Sequence, residues 1–283
     1  METGFVPSTR LQTGLPPLFS LSLVQYAPPS AILQLVTANN VLFLASHPLT
    51  IIIIDLNKPD DLITVDLPRP APEKDKNQAQ QIIPVISRIF VDSTARHLLI
   101  TTNTGDTFYL PISPGNSAVQ SRRPRPLRIR QTVLAVGWSP VSGTPVESSQ
   151  DGQAQGQGGK GDAITPPPTD ILIGTANGQI LSLPLPPQDD IFKSVAIGQS
   201  KSLEKDLNHV YTLPDNQPVT GLAFGFWPGP GKSKKEKRAW VVITTRARVY
   251  EVQGNTSSSV AGGKGGGWAE EVFKPLREGA PSE

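Results

Sequence analysis

Short apolar stretches with hydrophobic residues at alternate positions recur four times along the chain, each followed by a loop, a second stretch and a hairpin into a third. The leading stretches read Ile86-x-x-Ile89-x-Val91, Val133-x-x-Val136-x-Trp138 and Val219-x-x-Leu222-x-Phe224, with a degenerate copy at Ile32-x-x-Leu35. The second and third align as well: HLLITTNTGDTFYLPI from His97, DILIGTANGQILSLPL from Asp170 and AWVVITTRARVYEVQ from Ala239. A unit of this size cannot bury both faces of its own sheet, so it must stack on copies of itself. The alternation and the β-branched runs exclude an α-solenoid. With a fourth strand closing each unit, the pattern is the blade of a β-propeller. The expected fold is all-β, a propeller of four-stranded antiparallel blades with about four present, as part of a larger ring.

The blades are expected within residues 31–254, after a Pro-rich irregular leader at 1–30 and before a Gly-rich flexible tail at 255–283. In the first blade, strands are expected at 32–36, 41–45, 50–56 and 62–67, with Asn39-Asn40 suited to a tight left-handed turn. The second takes 86–91, 97–102, 107–112 and 127–133. The third takes 133–138, 170–175, 179–183 and 210–213, with Ala176-Asn177-Gly178 as its hairpin signal. The fourth takes 219–226, 240–245 and 248–252, and its outer strand falls near 271–273. Two loops, 139–169 and 228–238, read as exposed insertions without fixed structure.

Composition sharpens this picture. The 25 Gly and 29 Pro among 283 residues gather between the strands, as turns between many short strands require. There is no cysteine, which removes disulfides, thiolate nucleophiles and Cys-based zinc sites. His47, His97 and His209 stand apart from one another and from any carboxylate at ligand spacing. The first residues lack the charged-then-apolar pattern of a secretory signal, and the longest strongly apolar run, 51–54, is far below the ~20 residues that span a bilayer. The reading is a soluble intracellular protein. A net charge of +2 leaves no footprint for nucleic acid, and no catalytic group, metal ligand or cofactor is expected.

Three stretches carry a family resemblance: DSTARHLLITT from Asp92, VLAVGWSP through ILIGTANGQIL across 133–181, and VYTLPDNQPVTGLAFGF through VVITTRARVYEVQG across 210–254. In order and wording they resemble the amino-terminal propeller of the vacuolar protein sorting-associated protein 18 family, also called deep orange. The most telling positions are Gly137-Trp138, Gly174-Thr175 with Gly178, and Thr244-Thr245-Arg246, joined by His97 in the first stretch. The resemblance implies a non-catalytic interaction module at the head of an α-solenoid that ends in a RING-type zinc domain. It implies a place in the HOPS and CORVET tethering complexes, which bring late endosomal and vacuolar membranes together for SNARE-mediated fusion. Implied partners are other class C tethering subunits, then SNAREs, small GTPases or an acidic membrane surface. The implied location is cytoplasmic and peripheral on late endosome and vacuole. Departures are the lack of a solenoid after Gly254, the lack of any cysteine for a RING, and Ala95 where family members usually carry Gly.

Two other classes fit less closely. One is a generic propeller scaffold of an unrelated intracellular assembly. The other, a propeller enzyme, is disfavoured because the inner strands hold almost no acid, His or Asn in their apolar registers. The basic runs RRPRPLRIR and KSKKEKR offer Arg122, Arg123, Arg125, Lys232, Lys234, Lys235, Lys237 and Arg238 as an anionic-surface contact. The plainer reading is a solvated loop and a charged edge that blocks aggregation. Loops joining first to second and third to fourth strands leave a blade on one face, so both runs and the 139–169 insertion are expected on the same side. Gly231-Lys232-Ser233 is no phosphate loop, since Phe226 stands where the motif needs Gly. Trp138, Phe224, Phe226 and Trp240 are expected to fill the space between blades. The terminal blades, near Ile32 and near Phe224, are expected to expose apolar flanks. The isolated chain should then self-associate unless extended past Glu283.

Overall fold

The computed structural model describes residues 26–69, 83–112, 123–129, 131–139, 170–185, 207–228, 237–256 and 268–277. Their strands form four antiparallel sheets that follow one another along the chain. Blade 1 is β1 (Ile32–Ala38), β2 (Val41–Ser46), β3 (Thr50–Asp55) and β4 (Lys58–Asp66). Blade 2 is β5 (Ile86–Val91), β6 (His97–Thr102), β7 (Thr107–Pro111) and β8 (Arg125–Leu127). Blade 3 is β9 (Val133–Trp138), β10 (Asp170–Thr175), β11 (Gln179–Pro184) and β12 (Asn208–Thr212). Blade 4 has three strands, β13 (Gly221–Pro228), β14 (Lys237–Thr244) and β15 (Val249–Thr256), followed by helix α1 (Trp268–Arg277).

Local chemistry sets the turns. Asn39 and Asn40 are both left-handed, with φ of 44° and 59°, as a two-residue hairpin of this hand requires. In blade 3 Ala176-Asn177-Gly178 is the three-residue loop between β10 and β11, as expected, and Gly178 is its left-handed residue, at φ 76°.

Alternation along each strand puts one apolar face on either side of a blade, and three seams result. Phe43, Ile51 and Ile53 meet Ile89, Leu98 and Leu110 between blades 1 and 2. Leu99, Tyr109 and Leu127 meet Ile171, Ile173 and Leu183 between blades 2 and 3. Leu172, Ile180 and Val210 meet Phe224, Val241 and Val252 between blades 3 and 4. Polar side chains tie the inner strands together. Gln34 Nε2 donates to Ile89 O at 3.2 Å while its Oε1 accepts from Ile89 N at 2.8 Å, and Arg88 Nη1 donates to Leu134 O at 2.9 Å.

The structure corrects five expectations. The outer strand of blade 2 is Arg125–Leu127 and not 127–133. Pro126 is tolerated there because an edge strand can leave one side unpaired, and the Ile129 N–H to Leu127 O bond at 2.8 Å then turns the chain toward blade 3. Lys237 and Arg238 belong to β14 and not to a loop, because its pairing runs on to Pro228 and Thr256 on either side. The expected outer strand at 271–273, placed in a flexible tail, is instead part of α1. Trp268, Ala269, Val272 and Phe273 form a buried helical stripe, with Glu270 and Glu271 in the first turn and Lys274 and Arg277 in the last, matching the helix dipole. Trp240 lies on the face of blade 4 turned away from blade 3, packed over Gly225. Phe224 is no exposed flank: it is 4% exposed, with Trp268 stacked on it at 4.9 Å.

Candidate functional site

The densest polar structure among the described residues is a knot at the seam of blades 2 and 3. Asp92, fully buried at the end of β5, accepts N–H bonds from Thr94 at 2.9 Å, Arg96 at 2.8 Å and His97 at 2.6 Å, and an O–H bond from Thr94. This one carboxylate shapes the turn into β6. His97 then lies buried, its Nδ1 2.7 Å from the Tyr109 hydroxyl, with its ring stacked near Tyr109 and Trp138 at centroid distances of 6.0 and 6.2 Å. Burial pulls the His97 imidazole down to about 4 and pushes the Tyr109 phenol up. Both groups therefore stay neutral at physiological pH, and the knot is a structural clamp with no exposed reacting atom. Asp92 was missed by sequence reasoning, although an acid two residues before Thr in a strand-ending turn is the signal for such a bond.

The other motif residues resolve into packing and turn roles. Gly137 lets the carbonyl of Leu222 approach: an added Cβ would lie 3.1 Å from that oxygen. At Gly174 a Cβ would fall 2.4 Å from Val219 Cγ1, so glycine is what allows blade 4 to seat on blade 3. Thr175 and Thr245 do one job in successive blades. Their hydroxyls accept from Gln179 N and Arg248 N, each at 3.0 Å, and hold the hairpin that follows. Thr102 does the same in blade 2, accepting from Asp106 N at 3.1 Å. Thr244 reaches Thr220 Oγ1 at 3.3 Å, Gly178 supplies the left-handed turn residue, and Arg246 is exposed at the last hairpin.

The basic candidates are not brought together as one described surface. Arg122, Lys232, Lys234 and Lys235 lie outside the described residues, as do most of the 139–169 and 228–238 insertions. Arg123 is exposed; Arg125 is half-buried on β8, opposite Tyr109. Arg238 is exposed, with Nε donating to Asn255 Oδ1 at 3.1 Å, and Lys237 is placed only by its backbone in β14. No group of three or more His, Asp or Glu gathers at metal-binding distance among the described residues. None of their helices is long and apolar enough to cross a membrane.

Antiparallel blades stacked face to face, with their motif residues spent on seams and hairpins, define a β-propeller domain. The chain belongs to the family described as the Pep3/Vps18/deep orange beta-propeller domain, which matches residues 17–282. It is 29% identical over 254 residues to the vacuolar protein sorting-associated protein 18 homolog of Danio rerio, covering 89% of this chain and 21% of that relative. The chain thus spans about a fifth of the relative's length. Among solved structures, the Myceliophteria thermophila Cps50 (Swd1) β-propeller domain is similar at 9% identity and a TM-score of 0.40, over 77% of this chain and 51% of that one. The computationally designed Ika4 protein is similar at 12% identity and a TM-score of 0.37, over 80% and 92%.

Proposed function

We propose that this chain is a non-catalytic interaction module of a class C vacuolar and endosomal tethering complex, HOPS or CORVET, acting in vesicle docking and fusion. The observation that carries the reading is the family match across residues 17–282, supported by the identity to the Danio rerio relative. On this reading the blades present loops and edges to other class C subunits, with SNAREs, small GTPases or an acidic membrane surface as further contacts. The protein sits in the cytoplasm, peripheral on late endosome and vacuole.

Purification of the epitope-tagged chain from its own cells, followed by mass spectrometry, tests this. Class C subunits at stoichiometric levels are the expected result. Their absence beside a different stable assembly would replace the reading with a scaffold of another complex.

A further inference from the structure

Each blade ends in an outer edge strand, and three of the four edges are guarded. In blade 1, β4 opens with the exposed pair Lys58-Pro59, and in blade 2, β8 carries Pro126. In blade 3, Arg277 of α1 reaches β12 and donates from Nη2 to the carbonyls of His209, at 3.2 Å, and Val210. Proline withholds a donor, and lysine in an edge strand disfavours pairing. Strand β15 of blade 4, reading VYEVQGNT, contains no Pro, Lys or Arg. Helix α1 does not cover its edge: a Cβ at Gly254 would lie 3.1 Å from Val272 Cα, so the helix rests on the face of the sheet.

The hydrogen-bond phase shows which groups are free. Thr245 N donates to Arg248 O at 2.9 Å where the hairpin begins, and bonded pairs alternate from there: Ile243 with Tyr250, Val241 with Val252, Ala239 with Gly254. Thr244 agrees with this phase, since its carbonyl turns the other way to accept from Thr220 N at 2.8 Å. The N–H and C=O groups of Val249, Glu251 and Gln253 therefore point out of the sheet edge, and no described residue bonds them. The side chains of these three share the face turned away from blade 3, where Val249 is 70% exposed. Glu251 is exposed there, accepts from Gln253 and pairs with no described cation.

We propose that the β15 edge is a docking site for an extended segment of another protein, which adds as the fourth strand of blade 4. The segment carries a Lys or Arg beside Glu251 and, two residues away, an apolar side chain beside Val249. An extended chain matches donors and acceptors that repeat every second residue, and the unpaired carboxylate selects a basic one. The added strand leaves the face holding Glu251 open to water, so the charge is not buried. The proposal does not rest on the tethering reading.

The probe is the peptide Thr-Val-Thr-Lys-Thr-Val-Thr, blocked at both ends, whose sequence reads the same in either direction. Followed by amide exchange in NMR spectra, its binding should protect Val249, Glu251 and Gln253 at least about tenfold and leave Tyr250 and Val252, already bonded to β14, unchanged. N-methylation of one alternate set of peptide amides should abolish binding, and of the other set should not. Replacing the peptide Lys with Glu should weaken binding about tenfold, and Glu251→Lys should reverse that preference. No binding at millimolar peptide, or binding indifferent to the N-methyl pattern, would overturn the proposal. So would slow exchange of Val249, Glu251 and Gln253 in the free monomer, which would make the chain cover its own edge. Protection that follows protein concentration instead of peptide would make a second copy the occupant and overturn it as well.

Discussion

At the residue scale, the imidazole of His97 links this fold to pH. Its pKa is lowered from 6.5 to about 4, chiefly by burial, with Asp92 opposing the fall and Arg96 adding to it. The unfolded chain takes up the proton near 6.5 and the folded chain only near 4, so the stability held by the neutral ring is whole above pH 6.5 and is lost as pH falls toward about 4. The loss across that window is about 3 kcal/mol. Denaturant titrations between pH 7 and about 4.5 should show it, and His97→Gln should flatten the slope even if it lowers stability throughout. A slope unchanged in that variant would assign the effect to another group. The turn that buries His97 also carries Ala95, left-handed at φ 58° and buried in the first seam. Left-handed backbone costs an L-residue about 1–2 kcal/mol, and the methyl that glycine would lose is worth about 0.8 kcal/mol. Ala95→Gly should therefore stabilise the chain by less than about 1 kcal/mol; a clear drop in the melting midpoint would mean that the methyl packs better than its area suggests.

At the element scale, the basic residues divide into two kinds. Lys237 and Arg238 lie in β14 and Arg238 bonds Asn255, so changing them touches the sheet as well as its charge. Replacing Lys232, Lys234 and Lys235 with Ser should leave the melting temperature unchanged and weaken salt-sensitive binding to acidic liposomes. Adding Arg238→Ser should cost about 0.5–1 kcal/mol of stability through its lost hydrogen bond. Liposome binding that is unchanged at low salt would leave the basic runs as solvated charge. Most strands were legible in the sequence because alternation dictates both the element and the side it buries, and the repeat fixes their order. The helix α1 was not, although Trp268, Ala269, Val272 and Phe273 follow its period, because counting four strands per blade prescribes a strand there. The strand count prevailed over the local pattern, and the local pattern was right. The seam glycines were legible as unusual positions, but their reason was not. Only the fold shows that Gly174 lies under Val219, 45 residues away in sequence and in the next blade.

At the scale of the whole molecule, the two ends of the blade series differ in chemistry. Toward the next blade, blade 1 presents Phe43, Ile51 and Ile53, blade 2 Leu99 and Tyr109, and blade 3 Leu172 and Ile180. The corresponding face of blade 4 carries Trp240 and Val242 on β14 but Glu251 and Gln253 on β15, joined to each other by a 2.7 Å hydrogen bond. A blade docked there would have to bury the Glu251 charge, which is unfavourable without a paired cation. The β1 flank has no such penalty: Ile32, Leu33 and Leu35 are apolar and exposed. Self-association should therefore join two β1 flanks, and a contact between identical patches closes at a dimer, whereas a head-to-tail contact would grow without limit. Sedimentation velocity over a concentration series should show monomer and dimer alone. Leu33→Lys with Leu35→Lys should return the chain to monomer, while Val249→Lys, at a blade 4 residue that is 70% exposed, should change nothing. Open-ended growth, or dissociation by the Val249 change, would mean that blade 4 docks after all and that Glu251 finds a cation across the contact.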